Sequence, residues 1–183
     1  MQKSFETYQF QAGEVIASIG AASGVWEVGF ASWQDGLTFY LQDIDPHSCN
    51  QEEVDYTVKY WEKQQNKTIQ GIFYAVLGTP QATNLPKNFF DKVLVINSLH
   101  EILFLDEILD DINQILRPNG LLFIEETIAQ TNGVLHEGCG LPLFTEEILL
   151  RKVEQKGFEV KQKVDKGNAV WIYVLKKSTD SST

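Results

Sequence analysis

Short apolar runs alternate with amphipathic stretches of helical length along this chain. The apolar runs are rich in Val, Ile and Phe, and several are bounded by Gly, Pro, Asn or Asp, which is typical of strands in a covered sheet. We predict seven strands, over residues 15–19, 37–41, 72–77, 92–96, 121–124, 158–160 and 169–175.

Two of the intervening stretches carry a clear helical pattern. Residues 105–116 place leucine and isoleucine on one helical face and their acids mostly on the other. The Pro-Asn-Gly sequence at 118–120 is expected to end this helix and turn the chain into the next strand. A second helix is predicted from about Thr145, whose hydroxyl can cap the first turn, to Gln155, with Gly157 closing it.

The alternation of helices and strands predicts an α/β fold of the Rossmann-like, doubly wound kind, with a seven-stranded, mostly parallel sheet covered on both faces. Only residues 161–168 separate the last two strands, which is too short for a helical crossover. These strands are therefore expected to form a C-terminal hairpin that contains one antiparallel strand. We expect one domain over residues 1–177 and a disordered tail over 178–183.

Composition disfavours several classes of function. The 183 residues carry a formal net charge of −10, which would repel the phosphate backbone of a nucleic acid. No apolar run approaches the ~20 residues that span a bilayer, and residues 1–13 lack the apolar segment of a signal peptide. The two cysteines are far apart and imply no disulfide framework. We expect a cytoplasmic protein that binds neither nucleic acid nor membranes.

The turn after the first predicted strand is the leading candidate for a ligand site. Residues 20–24 read GAASG and lead directly into a helix expected to begin near residue 25. Small residues let a ligand approach the backbone, and the first N–H groups of a helix favour an anionic group. A tight turn without a ligand is the alternative. The last glycine stands at the fifth position rather than the sixth, which disfavours a nicotinamide or flavin dinucleotide and hence an oxidoreductase.

An acid follows the second predicted strand at the distance expected for a ribose contact. Asp43 lies about twenty residues beyond the glycine-containing turn, where a carboxylate can accept hydrogen bonds from ribose hydroxyls. An acid close to a proline is also a common turn residue, so the signal gains weight only in combination with the glycine-containing turn.

Several motifs, in their order and spacing, resemble the class I S-adenosylmethionine-dependent methyltransferases, and among them the small-molecule enzymes of the type 11-like kind. The resemblance is carried by five segments: the first strand with its turn, the acid of the second strand, the fourth strand, the helix with the fifth strand, and the last helix with the sixth strand. They read VIASIGAASG, FYLQDID, FFDKVLVINSLHEI, LDEILDDINQILRPNGLLFIEE and LFTEEILLRKVEQKGFEV. The resemblance extends over residues 15–176, nearly the whole chain.

The resemblance implies that S-adenosylmethionine is the cofactor. Residues 20–24 would then pack against its methionine part, Asp43 would hold the ribose and Ile44 would pack near the adenine. Residues 78–79 correspond to a further adenine contact, and residues 97–99 would lie under the sulfonium. The implied cofactor-binding residues are Ser18, Gly20, Ala21, Ala22, Gly24, Asp43, Ile44, Gly78, Thr79, Asn97, Ser98 and Leu99.

Three positions depart from the family pattern. Ser18 stands where the family usually carries an acid, Ala22 replaces a glycine, and Thr79 replaces another acid. Two interpretations are therefore kept. The first is a methyltransferase that acts on a small-molecule nucleophile, and the second is a catalytically inactive methyltransferase-like protein that binds or regulates.

Four polar side chains beyond the strand ends are candidates for removing a proton from the methyl acceptor, namely His100, Glu101, Glu125 and His136. The two histidines are the preferred catalytic residues, because a neutral imidazole suits base catalysis near pH 7. A structural, hydrogen-bonded histidine is the alternative for His100.

Residues 126–143 form a long connection, which we interpret as a lid or substrate-recognition element or else as an irregular surface link.

We expect an open pocket that is completed by residues 126–143 or by a second subunit of a homodimer. The aromatic residues Phe5, Tyr8 and Phe10 are expected either to fold over the edge of the site or to pad the sheet. No metal is expected. The candidate zinc ligands of the chain do not have the spacing of known zinc motifs. They are His47, Cys49, His136 and Cys139.

Overall fold

The computed structural model describes residues 1–178. Twelve helices and strands follow one another along this part of the chain: α1 (Gln2–Tyr8), β1 (Val15–Ile19), α2 (Val25–Ala31), β2 (Thr38–Asp43), α3 (Gln51–Gln65), β3 (Ile72–Leu77), β4 (Phe90–Ile96), α4 (Leu105–Ile115), β5 (Leu116–Thr127), α5 (Glu146–Gln155), β6 (Phe158–Gly167) and β7 (Val170–Lys177). All seven predicted strands are present, and the two predicted helices correspond to α4 and α5. Apart from Ser178, the expected disordered tail lies outside the described residues.

The strands form one sheet in the order β3-β2-β1-β4-β5-β7-β6. Neighbours from β3 to β5 are parallel, whereas β7 is antiparallel to both β5 and β6. The predicted Rossmann-like architecture with one antiparallel strand in a C-terminal hairpin is confirmed. The strand order reverses between β1 and β4, and in such sheets ligands bind at the carboxyl ends of the strands near that point.

The predicted role of the Pro-Asn-Gly sequence at 118–120 is wrong. The helix α4 has already ended at Ile115, and the next residue, Leu116, has the extended backbone of a strand. Leu116 pairs with Phe90 of β4, and the register then shifts before pairing resumes at Leu121. Proline disfavours a helical conformation in the residue before it. The sequence at 118–120 therefore lies in an irregular first part of β5 and does not form a separate turn.

Two apolar cores lie on opposite faces of the sheet. One contains buried residues of α1, α2 and α3, and the other contains buried residues of α4 and α5. Helical coverage is incomplete at one edge, because the link from β3 to β4 contains no helix. Ile72 and Tyr74 of β3 are consequently exposed. No helix among residues 1–178 combines the length and the apolar character needed to cross a membrane.

The aromatic residues at the start of the chain pad the sheet. Phe5, Tyr8 and Phe10 pack around Phe30 of α2, with ring centroids 5.4–6.4 Å from it. The Tyr8 hydroxyl donates to Glu125 Oε2 over 2.8 Å. Helix α1 therefore covers the face of the sheet that carries Glu125. Of the two expectations for these aromatic residues, padding the sheet is the correct one.

Gly24 fixes the distance between the first turn and β2. Its φ of +73° is in the left-handed region, and it is the N-cap residue of α2. A Cβ at this position would overlap the Cδ1 methyl group of buried Leu41. The start of α2 can approach β2 this closely only because residue 24 has no side chain.

Replacing Gly24 with alanine is expected to destabilise the protein by about 1–3 kcal/mol more than the same change at Gly133. Both glycines have positive φ, so both variants incur the backbone strain of about 1–2 kcal/mol. Only Gly24→Ala adds a clash, because a Cβ at Gly133 would meet nothing within 4 Å. Urea unfolding of the two variants measures the difference, and equal losses of stability would contradict the packing argument.

Candidate active site

A cavity of about 250 Å³ lies at the carboxyl ends of β1, β2 and β4, beside the point where the strand order reverses. Its walls are mainly apolar, with a few polar groups that converge on it, as is usual for small-molecule sites. The lining residues are Ile19, Gly20, Gln42, Asp43, Ile44, Thr79, Pro80, Ser98, Glu101, Ile102, Leu103 and Ile108. Five of the residues predicted for the cofactor are among them: Gly20, Asp43, Ile44, Thr79 and Ser98.

The turn after β1 lies directly against the end of β4. Gly20 has a φ of +70°, and a Cβ at this position would be 2.6 Å from both the Cβ and the Oγ atoms of Ser98. The Ser98 hydroxyl donates to the carbonyl of Ile19 over 2.9 Å. The N–H groups of Gly20 and Ala21 both donate to the Gln42 carbonyl. Hydrogen bonds to both neighbouring strands therefore hold the backbone at the bottom of the cavity.

Asp43 links the end of β2 to the same turn. Its Oδ2 atom accepts from the N–H of Ala22 over 3.0 Å, and its Oδ1 atom accepts from the N–H groups of Ile44 and Asp45. Ala22 has a φ of +46°, which the hydrogen bond to Asp43 helps to hold. A carboxylate can accept about four hydrogen bonds. Asp43 therefore retains capacity for a hydroxyl group of a ligand in the cavity.

A second carboxylate lies behind the turn, in helix α2. The Ser18 hydroxyl donates to Glu27 Oε1 over 2.5 Å, while Oε2 has no hydrogen-bond partner among the described residues. Burial raises the pKa of Glu27 to about 7, although the hydrogen bond from Ser18 acts in the opposite direction. An acid of α2 therefore lies beside Ser18, at the position where the family pattern has an acid. The sequence offered only a glutamate in the first turn of a predicted helix as a signal.

Several predicted cofactor residues do not line the cavity: Ser18, Ala21, Ala22, Gly24, Gly78, Asn97 and Leu99. Three of them support the lining from behind: the N–H groups of Ala21, Ala22 and Gly78 donate to Gln42 or Asp43. The predicted place of Leu99 under the sulfonium stays a prediction. Its side chain is fully buried in the core formed with Leu105 and Ile108 of α4, because the chain forms a 3₁₀ turn directly after β4.

Sequence reasoning missed part of the lining. Gln42 is a buried polar residue beside Asp43, and Ile102 and Leu103 form the apolar side of the cavity before α4. Leu103 is 82% exposed. Leu103 stands just before the helical pattern of residues 105–116 and outside it. An apolar residue there is not expected to pack in the core, and this was the sequence signal for a role at the cavity.

The structure brings the two predicted catalytic histidines together. The ring centroids of His100 and His136 are 4.6 Å apart. His100 is buried, and its Nδ1 atom lies 3.0 Å from Oε1 of the buried Glu126. His136 is partly exposed, and its Nδ1 atom lies 3.3 Å from the Sγ atom of Cys139. The result is a compact group of imidazole and thiol side chains beside the cavity.

Glu125 does not take part in this group. Its carboxylate accepts from the Tyr8 hydroxyl and forms an ion pair with Lys166, on the face of the sheet covered by α1. Its selection as a candidate base is wrong, because side chains alternate along β5 and Glu125 points away from His100. Glu101 does line the cavity, and its Oε1 atom lies 3.8 Å from His100 Nε2.

The long connection after β5 begins two residues later than predicted, because β5 continues to Thr127. None of the connection from residue 128 to residue 144 lines this cavity. Completion of the pocket by this connection or by a second subunit stays a prediction. Pairing between Leu135 and Pro142 closes the tip of the connection. This tip places His136 against His100.

A family model described as a methyltransferase domain matches residues 27–124, just over half of the chain. The match covers the chain from the first turn of α2 to the middle of β5. No curated protein sequence gives a significant match.

Solved structures share the fold at low sequence identity. An S-adenosylmethionine-dependent methyltransferase from Aquifex aeolicus has a TM-score of 0.73 at 14% identity, over 95% of this chain and 87% of that one. One from Methanosarcina mazei has the same score and identity, over 94% and 96%. One from Leishmania major has a TM-score of 0.73 at 16% identity, over 96% and 70%. Each is similar to this chain in fold.

The raised pKa of Glu27 predicts a pH-dependent stability. Between pH 4.5, its ordinary pKa, and about 7, the folded protein retains a proton that the unfolded chain has released, so stability falls as the pH rises through this range. Glu27→Gln carries no such proton. We expect this variant to be more stable than the unchanged protein at pH 8, by up to about 3 kcal/mol, with the advantage shrinking towards pH 4.5.

Urea unfolding at several pH values measures this effect. The matched control is Glu6→Gln, which removes an exposed glutamate of α1 and should leave the pH dependence unchanged. A stability difference between Glu27→Gln and the unchanged protein that is the same at pH 5 and pH 8 would show that the Glu27 proton is not the cause.

Proposed function

The chain belongs to the class I S-adenosylmethionine-dependent methyltransferase family, and we propose that it transfers the methyl group of S-adenosylmethionine to a small-molecule nucleophile. The observation that carries this proposal is the cavity at the reversal of strand order. Its floor is the bare backbone of Gly20, and its polar side is the carboxylate of Asp43. S-adenosylmethionine supplies an activated methyl group on a sulfonium.

The residues present fit this cofactor. A Cβ at position 20 would collide with Ser98, so the turn can lie against the end of β4 only while a glycine stands there. The bare backbone of Gly20 lines the cavity and is open to a ligand. The remaining hydrogen-bond capacity of Asp43 suits a ribose hydroxyl. Ile44, Thr79 and Pro80 form an adjoining wall suited to the flat adenine base.

Two of the three departures from the family pattern, those at Ser18 and Ala22, have compensations in the structure. Glu27 restores a buried acid next to Ser18, and Ala22 adopts the left-handed backbone that a glycine would adopt. These features favour an active enzyme over the catalytically inactive interpretation.

The acceptor side of the cavity combines apolar and polar groups. Ile102 and Leu103 offer an apolar surface, while Glu101 and the neighbouring imidazoles offer groups that can orient an acceptor and remove its proton. Methyl transfer needs an aligned nucleophile and the exclusion of water more than it needs further chemistry from the protein. A small molecule that presents a hydroxyl, amine, thiol or activated carbon is therefore the proposed acceptor.

Calorimetric titration with S-adenosylmethionine, S-adenosylhomocysteine and NAD tests the cofactor. We expect the two sulfur nucleosides to bind and NAD not to bind. Asp43→Ala should weaken binding about 10–100-fold, because hydrogen bonds to a charged group are worth about 1.5–3 kcal/mol. The matched control is Asp35→Ala, which removes the same charge at an exposed position before the opposite end of β2.

Unfolding temperatures of both variants separate a local effect from misfolding, since Asp43 also holds three backbone N–H groups. Absence of binding by either sulfur nucleoside to the unchanged protein would refute the proposed function. Equal losses in the folded Asp43→Ala and Asp35→Ala proteins would refute the proposed place of the cofactor.

A further inference from the structure

His100, His136 and Cys139 form a cluster of potential metal ligands at the edge of the cavity. One donor atom of each lies within 4.8 Å of the others. His100 follows β4, whereas the other two lie at the tip of the 128–144 connection. Imidazole nitrogen and thiolate sulfur are donors that zinc prefers. We propose that these three side chains bind a zinc ion and leave its fourth position open to an exogenous ligand.

The orientation of His100 supports this site. Glu126 already accepts the backbone N–H groups of His100 and Thr127, so its interaction with Nδ1 of His100 is a further hydrogen bond in which the carboxylate is the acceptor. With the carboxylate as acceptor, Nδ1 is the ring nitrogen that donates, so in the neutral imidazole Nε2 presents a lone pair. Nε2 is buried and has no hydrogen-bond partner among the described residues. A metal ion would satisfy it.

Glu126 completes an arrangement that is common around protein-bound zinc. Metal-binding histidines usually donate their second ring N–H to a carboxylate, which fixes the tautomer and the ring orientation. The side chains of His100 and Glu126 are both fully buried. The first ligand is therefore held rigidly before any metal arrives.

The other two ligands lie three residues apart in one tight turn. The His136 N–H donates to the Leu141 carbonyl over 2.8 Å, and the Gly140 N–H donates to the His136 carbonyl over 2.9 Å. His136 Nδ1 and Cys139 Sγ are 3.3 Å apart. Ordinary zinc–nitrogen and zinc–sulfur bond lengths at a tetrahedral angle place two such atoms about 3.6 Å apart. The turn thus presents a nearly formed chelating pair.

Binding requires a contraction of about 1 Å, from the present 4.8 Å limit to the spacing of a tetrahedral site. Most of the tip, including Cys139, is exposed, so it can move towards His100. Residues 98 and 101, on either side of His100, line the cavity. The open position would therefore lie close to the cavity, and small molecules with a thiol or hydroxyl group are the ligands that it would take. With zinc bound, the two imidazoles are ligands, and Glu101 is the group of the cavity lining that can remove a proton.

The remaining cysteine has a different character. The Cys49 thiol is buried and donates to the Leu41 carbonyl over 3.2 Å, and burial raises its pKa. It therefore resists forming the thiolate that a metal needs. His47 is exposed and is not part of the cluster. These two residues provide matched controls of the same chemical types.

The test uses the full chain, freed of metal by a chelator and titrated with Zn²⁺ and with Co²⁺. We expect one ion per chain. Bound Co²⁺ should give a thiolate-to-cobalt charge-transfer band and the strong visible bands of a tetrahedral site. Cys139→Ala and His136→Ala should abolish these bands and weaken zinc binding by about 100-fold or more, whereas Cys49→Ala and His47→Ala should retain both.

Glu126→Gln tests the supporting carboxylate and should weaken zinc binding about 10–100-fold. Circular dichroism verifies that each variant is folded. Failure of zinc to bind stoichiometrically would overturn the proposal. Equal affinities of Cys139→Ala and Cys49→Ala, or a pale octahedral cobalt spectrum without charge transfer, would overturn it too. None of these readouts depends on S-adenosylmethionine, so the metal site and the proposed function can fail separately.

Discussion

The contact between Gly20 and Ser98 joins the two central strands at the point where the sheet reverses its strand order. The backbone of the first turn can lie against the end of β4 only because residue 20 has no side chain. The Ser98 hydroxyl then reaches the carbonyl of Ile19, and the next amide groups of the turn reach β2. The position of Asp43, and with it the shape of the cavity, follows from this close approach.

Buried carboxylates organise the site from behind as well as from within. Glu27 lies beneath the first turn, and Glu126 lies beneath His100. In a protein with a net charge of −10, each buried acid adds to the cost of folding unless hydrogen bonds compensate it. Glu126 is compensated by backbone and imidazole N–H groups, whereas one oxygen of Glu27 has no partner among residues 1–178 and burial raises the pKa of this carboxyl. The site is therefore rigid beneath His100 and electrostatically strained beneath the first turn.

Local patterns predicted what depends on local sequence. Apolar runs of strand length located every strand, and the spacing of Gly20 and Asp43 located two residues of the cavity lining. Contacts between distant parts of the chain left no such pattern. Nothing adjacent to Ser18 pointed to Glu27, and 35 residues separate His100 from the turn that meets it. The error at residues 118–120 arose where an irregular strand replaced the expected turn.

The antiparallel strand β7 has a consequence for the order of assembly. It is the last strand along the described chain, yet it lies between β5 and β6 and separates them. Strand β6 therefore cannot join the sheet before β7 has been synthesised, and one edge of β5 stays open until then. During translation an unpaired strand edge is prone to wrong pairing. The growing chain thus passes through a stage in which β6 has been synthesised but only five strands are paired, and the sheet still lacks the hairpin that completes it.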